Sequence, residues 1–434
     1  MQHLTVGIDG YNLAMPRGTG IATYGLNLAR TLQSGGHELV GAFGLHVGDD
    51  PALRETLFFD RVTQAETGRT VFGGRWRRRV GLLRASVDRA FSPLALEVPL
   101  TGRVDKASFA DRLPTFSRLT SAAGLFALAQ RYFSVTGRFL PLRMENPPAI
   151  MHWTYPVPVR LVGARNIYTV HDLVPLRLPY TTLTDTPRFA RLLRACMAEA
   201  DHLCTVSEFS RQDIIDQCGA DPARITNTYQ ASFLPDEILH ESFADTARQV
   251  AGIFGFEPRS FFLFFGALEP KKNLGRLIEA YLGLQATTPL VLVGARAWLN
   301  EGELSLLSQE NSQRIIRLDY LNRNTLLRLI RMARAVLFPS IFEGFGLPVL
   351  EAMQLGTPVL TGNASSLPEV AGDAALLVDP YDIQAIAGGI ARIDTDAELR
   401  ARLSKAGPVQ AEAFSERAYL ARLERMYAKV LAGQ

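Results

Sequence analysis

The 434-residue sequence is poor in cysteine, with Cys196, Cys204 and Cys218 its only three. The number is odd and no pair has a C-x-x-C spacing. This argues against a disulfide framework or a zinc knuckle and predicts a reducing compartment. Long apolar runs are missing too. None approaches the roughly 18 residues of a membrane span, and the richest, Phe261 to Leu268, has the length of a buried strand. The start, MQHLTVGIDGYN, lacks the basic residues and long apolar stretch of a signal peptide, so a cytoplasmic location is expected. The net charge of +3 is too small to imply a nucleic-acid partner. The one D-x-D run, Asp394-Thr-Asp396, stands between helix signals and reads as a cap or solvated loop, so no metal is expected. The pair Gly18-x-Gly20 lacks the third glycine of a dinucleotide fingerprint, because Thr23 occupies its place. Strand Leu39–Phe43 ends without the ribose-binding acid, which argues against a nicotinamide oxidoreductase.

What is present is an ordinary globular composition, 47% hydrophobic and 21% charged, in a chain long enough for two cores. Leu4 to Asp9 reads as a buried strand. A glycine-bearing loop, a helix from about Ile21 to Leu32 and a second strand, Leu39 to Phe43, follow. Residues 48–148 are read as an elaboration of this first unit, with a helical stretch from Leu119 to Phe133. Strands then resume at Ala149–His152, Asn166–Val170 and His202–Val206, with helices at Arg188–Ala200 and Ser207–Cys218. A second series starts near Phe261. Its strands are Phe261–Phe265, Leu290–Val293, Ile315–Leu318 and Val336–Phe338. Its helices start at Leu274, near Glu303, at Thr325 and at Pro348. Alternation of this kind predicts βαβ units and parallel sheets. The linker is expected between Leu234 and Arg259, dividing a domain of residues 1–240 from one of 241–434.

The chemistry concentrates in FPSIFEGFGLPVLEAMQLGTP, Phe338 to Pro358. A strand ends at Pro339, a loop carries Glu343, Gly344, Phe345 and Gly346, and a helix opens around Leu347 and Pro348. The free N–H groups and positive dipole end of such a helix suit a diphosphate. Glu351 is placed to accept hydrogen bonds from a ribose diol, and Glu343 from sugar hydroxyls. Spacing alone also allows a first-turn acid and a solvated loop residue. A second element, GALEPKKN, Gly266 to Asn273, ends a strand. Ligands of open α/β sheets bind at that end. Lys271 and Lys272 there suit a leaving phosphate without a metal, although two exposed lysines before a helix are common.

The run EGFGLPVLEA resembles the E-x7-E signature of family-4 glycosyltransferases, with Glu343 and Glu351 as its acids. GALEPKKNLGRLIEAY is similar to that family's phosphate-contacting motif, especially in its mannosyltransferase-like members. VHDLVPLRLP, VSEFSRQDI and RGTGIATYGLNL look like further family blocks in the expected order, and none falls in 48–148. The resemblance implies the α/β GT-B architecture, two Rossmann-like domains facing across a cleft, and a retaining hexosyltransferase that needs no cofactor or metal. It implies that Glu351 holds the donor ribose. Glu343, Gly344 and the backbone of Phe345, Gly346 and Leu347 then address the sugar and diphosphate. Lys272 contacts the phosphates with Lys271 as a second cation, His171 lies near the reacting sugar, and Gly20 faces the diphosphate. The implied partners are a nucleotide-sugar donor, with GDP-mannose the best match, and a saccharide acceptor, free or lipid-linked, of cell-surface polysaccharide synthesis.

The chain departs from the family pattern at Ala267, where an arginine is common, and at Ala22 and Ala231, where glycine is. These departures keep open a sugar-nucleotide-binding protein with impaired catalysis. The basic amphipathic segment Phe72 to Phe91, with Arg75, Arg77, Arg78, Arg79, Arg84 and Arg89, suggests peripheral binding to an anionic membrane surface. A solvated helix or an interdomain surface reads equally from the same residues.

Overall fold

The computed structural model describes residues 3–14, 20–66, 92–105, 109, 113–267, 269–294, 314–319 and 321–433. The arginine segment and the helix expected near Glu303 lie outside the described residues.

Among the described residues the strands form two sheets. The first contains β1 (Thr5–Asp9), β2 (Glu38–Phe43), β3 (Leu94–Val98), β4 (Arg118–Ser121), β5 (Leu140–Met144), β6 (Ile150–Trp153), β7 (Val159–Leu161), β8 (Arg165–Val170), β9 (His202–Thr205) and β10 (Ile225–Asn227). Their order is β10-β9-β8-β6-β1-β2-β4-β3-β5-β7, parallel throughout except where β3 runs antiparallel to β4. The second contains β11 (Phe262–Phe265), β12 (Leu290–Val293), β13 (Ile315–Leu318), β14 (Ala335–Phe338), β15 (Val359–Gly362) and β16 (Leu376–Val378), in the order β13-β12-β11-β14-β15-β16. All of its pairs are parallel. Its central strands, FLFF, LVLV and AVLF, are buried at every position. A parallel strand covered by helices on both faces has no polar side, so its sequence is a continuous apolar run. This is the GT-B arrangement of two Rossmann-like α/β units.

One expectation is corrected. The stretch from Leu119 to Phe133 is not one helix. Arg118–Ser121 pairs in parallel with β2, and Gly124, at φ 70°, starts a separate helix over Leu125–Thr136. The segment 234–259, expected as the linker, is partly helical. It carries two helices, Asp236–His240 and Phe243–Phe254, and the Ser242 side chain caps the second by accepting from Asp245 N.

The last helix, Glu416–Leu431, returns to the first sheet. Tyr427 Oη lies 2.7 Å from His152 Nδ1 on β6, and a Cβ at Gly35 would meet the Leu420 side chain at 2.7 Å. This helix therefore ties the C-terminal end of the chain to the N-terminal unit.

Candidate active site

Strand order decides which loops meet. β11 and β14 are neighbours and parallel, so the loops at their carboxyl ends stand side by side. One carries Lys271 and Lys272 in a single 3-10 turn, Pro270–Lys272, and the other carries Glu343. Lys272 Nζ lies 2.6 Å from Glu343 Oε1, and Ser340 Oγ donates to the same oxygen at 2.7 Å. The Lys272 ammonium also sits 5.1 Å from the centre of the Phe338 ring. Neither partner is solvated as a surface pair would be, with side-chain exposures of 12% and 8%. Burial works to raise the Glu343 carboxyl. Lys272, Lys271 and the bonds from Lys272 and Ser340 outweigh it and hold the group below its usual range. Lys271 Nζ stands 3.9 Å from Asp172 and 3.7 Å from Glu269. Burial pulls its ammonium down, but Asp172, Glu343 and Glu269 win and raise it. Lys271 is thus kept charged by the acids around it.

The loop of Glu343 is fixed from beneath. Glu343 N donates to Ser365 Oγ at 2.9 Å, and Ser366 Oγ donates to the carbonyls of Glu343 and Phe345. Gly346, at φ 107°, precedes the helix Leu347–Gln354, and no side chain caps that end. The left-handed turn selects glycine here. The Phe345 ring is core, packed on Phe414 and Tyr229, so only its backbone is turned to the loop surface. Glu351, on the helix, pairs with Arg323 Nη1 at 2.9 Å and accepts from Ser232 Oγ at 3.5 Å.

The first sheet supplies the facing wall. His171 follows β8. Its Nε2 lies 2.9 Å from the Thr154 carbonyl, which only accepts, so Nε2 carries the proton and Nδ1 is the acceptor. The Tyr24 ring meets the imidazole edge-on at 4.8 Å. Burial lowers the imidazole, against the Thr154 bond and Asp172, so the ring is neutral near pH 7. The two walls touch directly. A Cβ on Gly344 would stand 2.6 Å from the His171 carbonyl oxygen. Ser210 Oγ donates to that oxygen at 2.9 Å and reaches the Gly344 carbonyl at 3.4 Å. Further along, Glu369 accepts from the backbone N–H groups of Glu208 and Phe209 and from the Tyr229 hydroxyl.

The sequence profile of glycosyltransferase family 4 matches residues 102–229, and that of the glycosyl transferases group 1 matches 247–410. The O-antigen chain mannosyltransferase B of Escherichia coli is 34% identical over 257 residues, 58% of this chain and 67% of that protein. The chain belongs to glycosyltransferase family 4. The E. coli serotype-specific mannosyltransferase WbdA is 28% identical over 284 residues, 61% of this chain, but the match spans only 33% of WbdA. Among solved structures, Anabaena HepE in complex with UDP-glucose superposes with a TM-score of 0.64 at 14% identity, over 98% of this chain and 100% of that one. The family-4 profile starts at residue 102, so it enters the span 48–148 in which the sequence shows no family block.

Of the family-4 site residues expected from the sequence, Lys271, Lys272, Glu343, Gly344 and His171 are brought together by contacts between their loops, with Phe345, Gly346 and Leu347 continuing the loop of Glu343. Glu351 stands one helical turn further on, with Arg323 as its partner. Gly20 opens the helix Gly20–Ser34, and a Cβ there would meet nothing within 4 Å. The D-x-D run is engaged elsewhere. Asp394 Oδ1 accepts from Arg334 and Thr288, and Asp396 caps a helix through Leu399 N. Sequence reading missed Ser210, Ser340, Arg323 and Glu369. Ser210 lay inside the block VSEFSRQDI, but nothing local marks it as the residue that touches both walls.

Proposed function

We propose that this family-4 chain catalyses retaining, metal-independent transfer of a hexosyl group from a nucleotide-diphosphate sugar, best matched by GDP-mannose, to a saccharide acceptor of cell-surface polysaccharide. The observation that carries the reading is the buried Lys272–Glu343 pair, with Lys271 beside it, at the mouth of an uncapped helix start. The mannosyltransferase names of the relatives support the sugar, and the O-antigen wording supports the polysaccharide. We assign the cytoplasmic side of the membrane as its place. Among the described residues no helix is long and apolar enough to cross a bilayer.

On this reading the donor diphosphate lies on Lys272, Lys271 and the backbone N–H groups from Gly346 to Leu347, near Gly20 on the opposite wall. Glu351 grips the ribose, and Glu343 the sugar hydroxyls. Among the described residues no group bonds Oε2 of either acid, while Oε1 of each is fixed by a cation and a serine. That arrangement aims one lone-pair edge of each carboxylate outward. His171 Nδ1 accepts from a hydroxyl of the transferred sugar. The glycosidic C–O bond to phosphate breaks as the acceptor oxygen adds on the same face. The departing phosphate oxygen takes the acceptor proton, and the lysines stabilise the charge left on the diphosphate. No carboxylate needs to form a covalent bond to the sugar, as one does in a retaining glycosidase.

The impaired-binder alternative draws on Ala267. Against it, Lys271 is close enough to lower Glu343 electrostatically, so a second cation is supplied from a different position. The test incubates the purified protein with GDP-mannose and UDP-, ADP- and TDP-sugars in the presence of a chelator. The proposal expects nucleoside diphosphate release from one donor and an unchanged anomeric configuration in any product. Tight donor binding with no release supports the impaired binder.

A further inference from the structure

The helix Glu208–Cys218 follows β9 in the first sheet. A helix leaves its first backbone N–H groups without partners inside the helix. Ser207 Oγ caps one of them, accepting from Ser210 N at 3.0 Å. The two before it are bonded from the other unit. Glu369, in the helix Leu367–Ala371, accepts from Glu208 N through Oε2 and from Phe209 N through Oε1, each at 3.0 Å. The Tyr229 hydroxyl donates to Oε2 at 3.2 Å. A carboxylate suits this place on two grounds. It accepts through both oxygens and donates through neither, and its charge meets the positive end of the helix.

The stretch just before Glu369 grips the loop of Glu343. Ser365 Oγ accepts from Glu343 N, and the buried Ser366 donates to the carbonyls of Glu343 and Phe345, all at 2.9 Å. Ser365 stands at φ 55°, in the left-handed region that favours glycine. A glycine there would lack the oxygen that Glu343 N bonds. Phe342, beside Glu343, also meets the Phe209 ring edge-on at 5.5 Å.

The helix Glu208–Cys218 in turn holds the segment of His171 at two points. Ser210 Oγ donates to the His171 carbonyl at 2.9 Å, and Asp213 accepts from Arg177 Nε at 2.8 Å. Arg177 ends the short helix Val174–Arg177 that follows His171 and Asp172. Residues 365–369 are therefore bonded to the acid loop at one end and, through the start of one helix, to the histidine segment at the other.

We propose that Glu369 is a positioning residue, which seats the helix Glu208–Cys218 on the stretch that holds Glu343 and so sets the place of His171 against the donor loop. The inference rests on the glycosyl-transfer reading above. The bonds of Glu369 go to none of the groups assigned to the donor, so its effect passes through His171.

The experiment follows two readouts in the wild type, Glu369→Ala and Glu369→Gln. Hydrogen–deuterium exchange measures protection of the Glu208 and Phe209 amides. Nucleoside diphosphate release from the sugar nucleotides of the panel above gives kcat and donor KM. Glu369→Ala should speed exchange at those amides about tenfold. It should lower kcat by about 10- to 100-fold with donor KM unchanged. Glutamine fills the same space but turns an NH2 group toward one of the donors, so Glu369→Gln should recover little of the loss. In a His171→Ala background, Glu369→Ala should lower kcat no further.

Unchanged exchange in Glu369→Ala overturns the seating of the helix. Faster exchange with unchanged kcat overturns the positioning role. So does full recovery by Glu369→Gln, which points to space filling, or a full further loss on top of His171→Ala. A raised donor KM at unchanged kcat places Glu369 on the donor and also overturns it. If the wild type binds and hydrolyses no donor, the transferase reading fails and the positioning role falls with it, whereas each of the other outcomes leaves that reading standing.

Discussion

The carbonyl oxygen of His171 lies 2.6 Å from the point where a Cβ on Gly344 would stand. The two residues belong to different sheets, so this closeness exists only while the walls are together. Gly344→Ala forces either the loop or the facing wall to retreat, because the obstacle is backbone. Displacements of this size at a reacting centre are costly. Transfer should fall by about 100-fold, with nucleotide binding to the C-terminal wall much less affected. Steady-state kinetics beside calorimetric nucleotide titration checks this.

Glu343 gives a prediction for acid stability. Its carboxyl sits below the ordinary range despite burial, because Lys272 and Lys271 stabilise the ionised form. The stabilisation is therefore present above the ordinary carboxylate value of about 4.3. It is lost as pH falls from there through the folded-state value. Glu343→Gln should be less stable than wild type at pH 7, and the gap should narrow toward pH 3, as read from urea unfolding at a series of pH values.

His152 acts over a different window. Burial, and then the nearby His171, push its pKa down to about 3. The unfolded chain takes up a proton near pH 6.5 that the folded chain refuses. Stability from this residue is thus complete above about pH 6.5 and declines by roughly 1.4 kcal/mol per unit between there and about pH 3. His152→Gln loses bonds to Tyr427 and Thr169 and should lower stability at pH 7. It should also remove about one proton from the slope of stability against pH in that window.

Arg323 fixes Glu351 Oε1 and also donates to the Phe233 carbonyl at 3.1 Å. If it serves to aim the carboxylate at a ribose, Arg323→Ala should weaken nucleotide binding about tenfold. Glu351→Ala should weaken it more, and the double variant should equal Glu351→Ala alone. Additive losses in calorimetric titrations contradict that role.

The second sheet was legible because its central strands are buried on both faces and read as unbroken apolar runs, ending in loops with glycine or proline. The stretch after β4 was not. Its strand, RLTS, has a single apolar residue and no run to mark it, and only the short link Ala122–Gly124 separates it from the helix. The helices at 236–254 were hidden between Pro235 and Pro258, although Ser242 and Asp245 carried a capping signal. Within the site, Lys272 and Glu343 stand 71 positions apart and meet through strand adjacency, which a motif implies but spacing cannot give. Ser210 with Gly344, and Arg323 with Glu351, are side-chain meetings that depend on how the walls close and how two helices pack. Local sequence holds no trace of either.

The most direct measurement compares nucleoside diphosphate release from GDP-mannose by the wild type, Lys272→Ala and Glu343→Gln, each at saturating donor with chelator present. The account predicts that both variants still bind nucleotide, that Lys272→Ala loses at least about 100-fold in turnover, and that chelation leaves the wild type unchanged. Turnover by Lys272→Ala and Glu343→Gln equal to that of the wild type contradicts it.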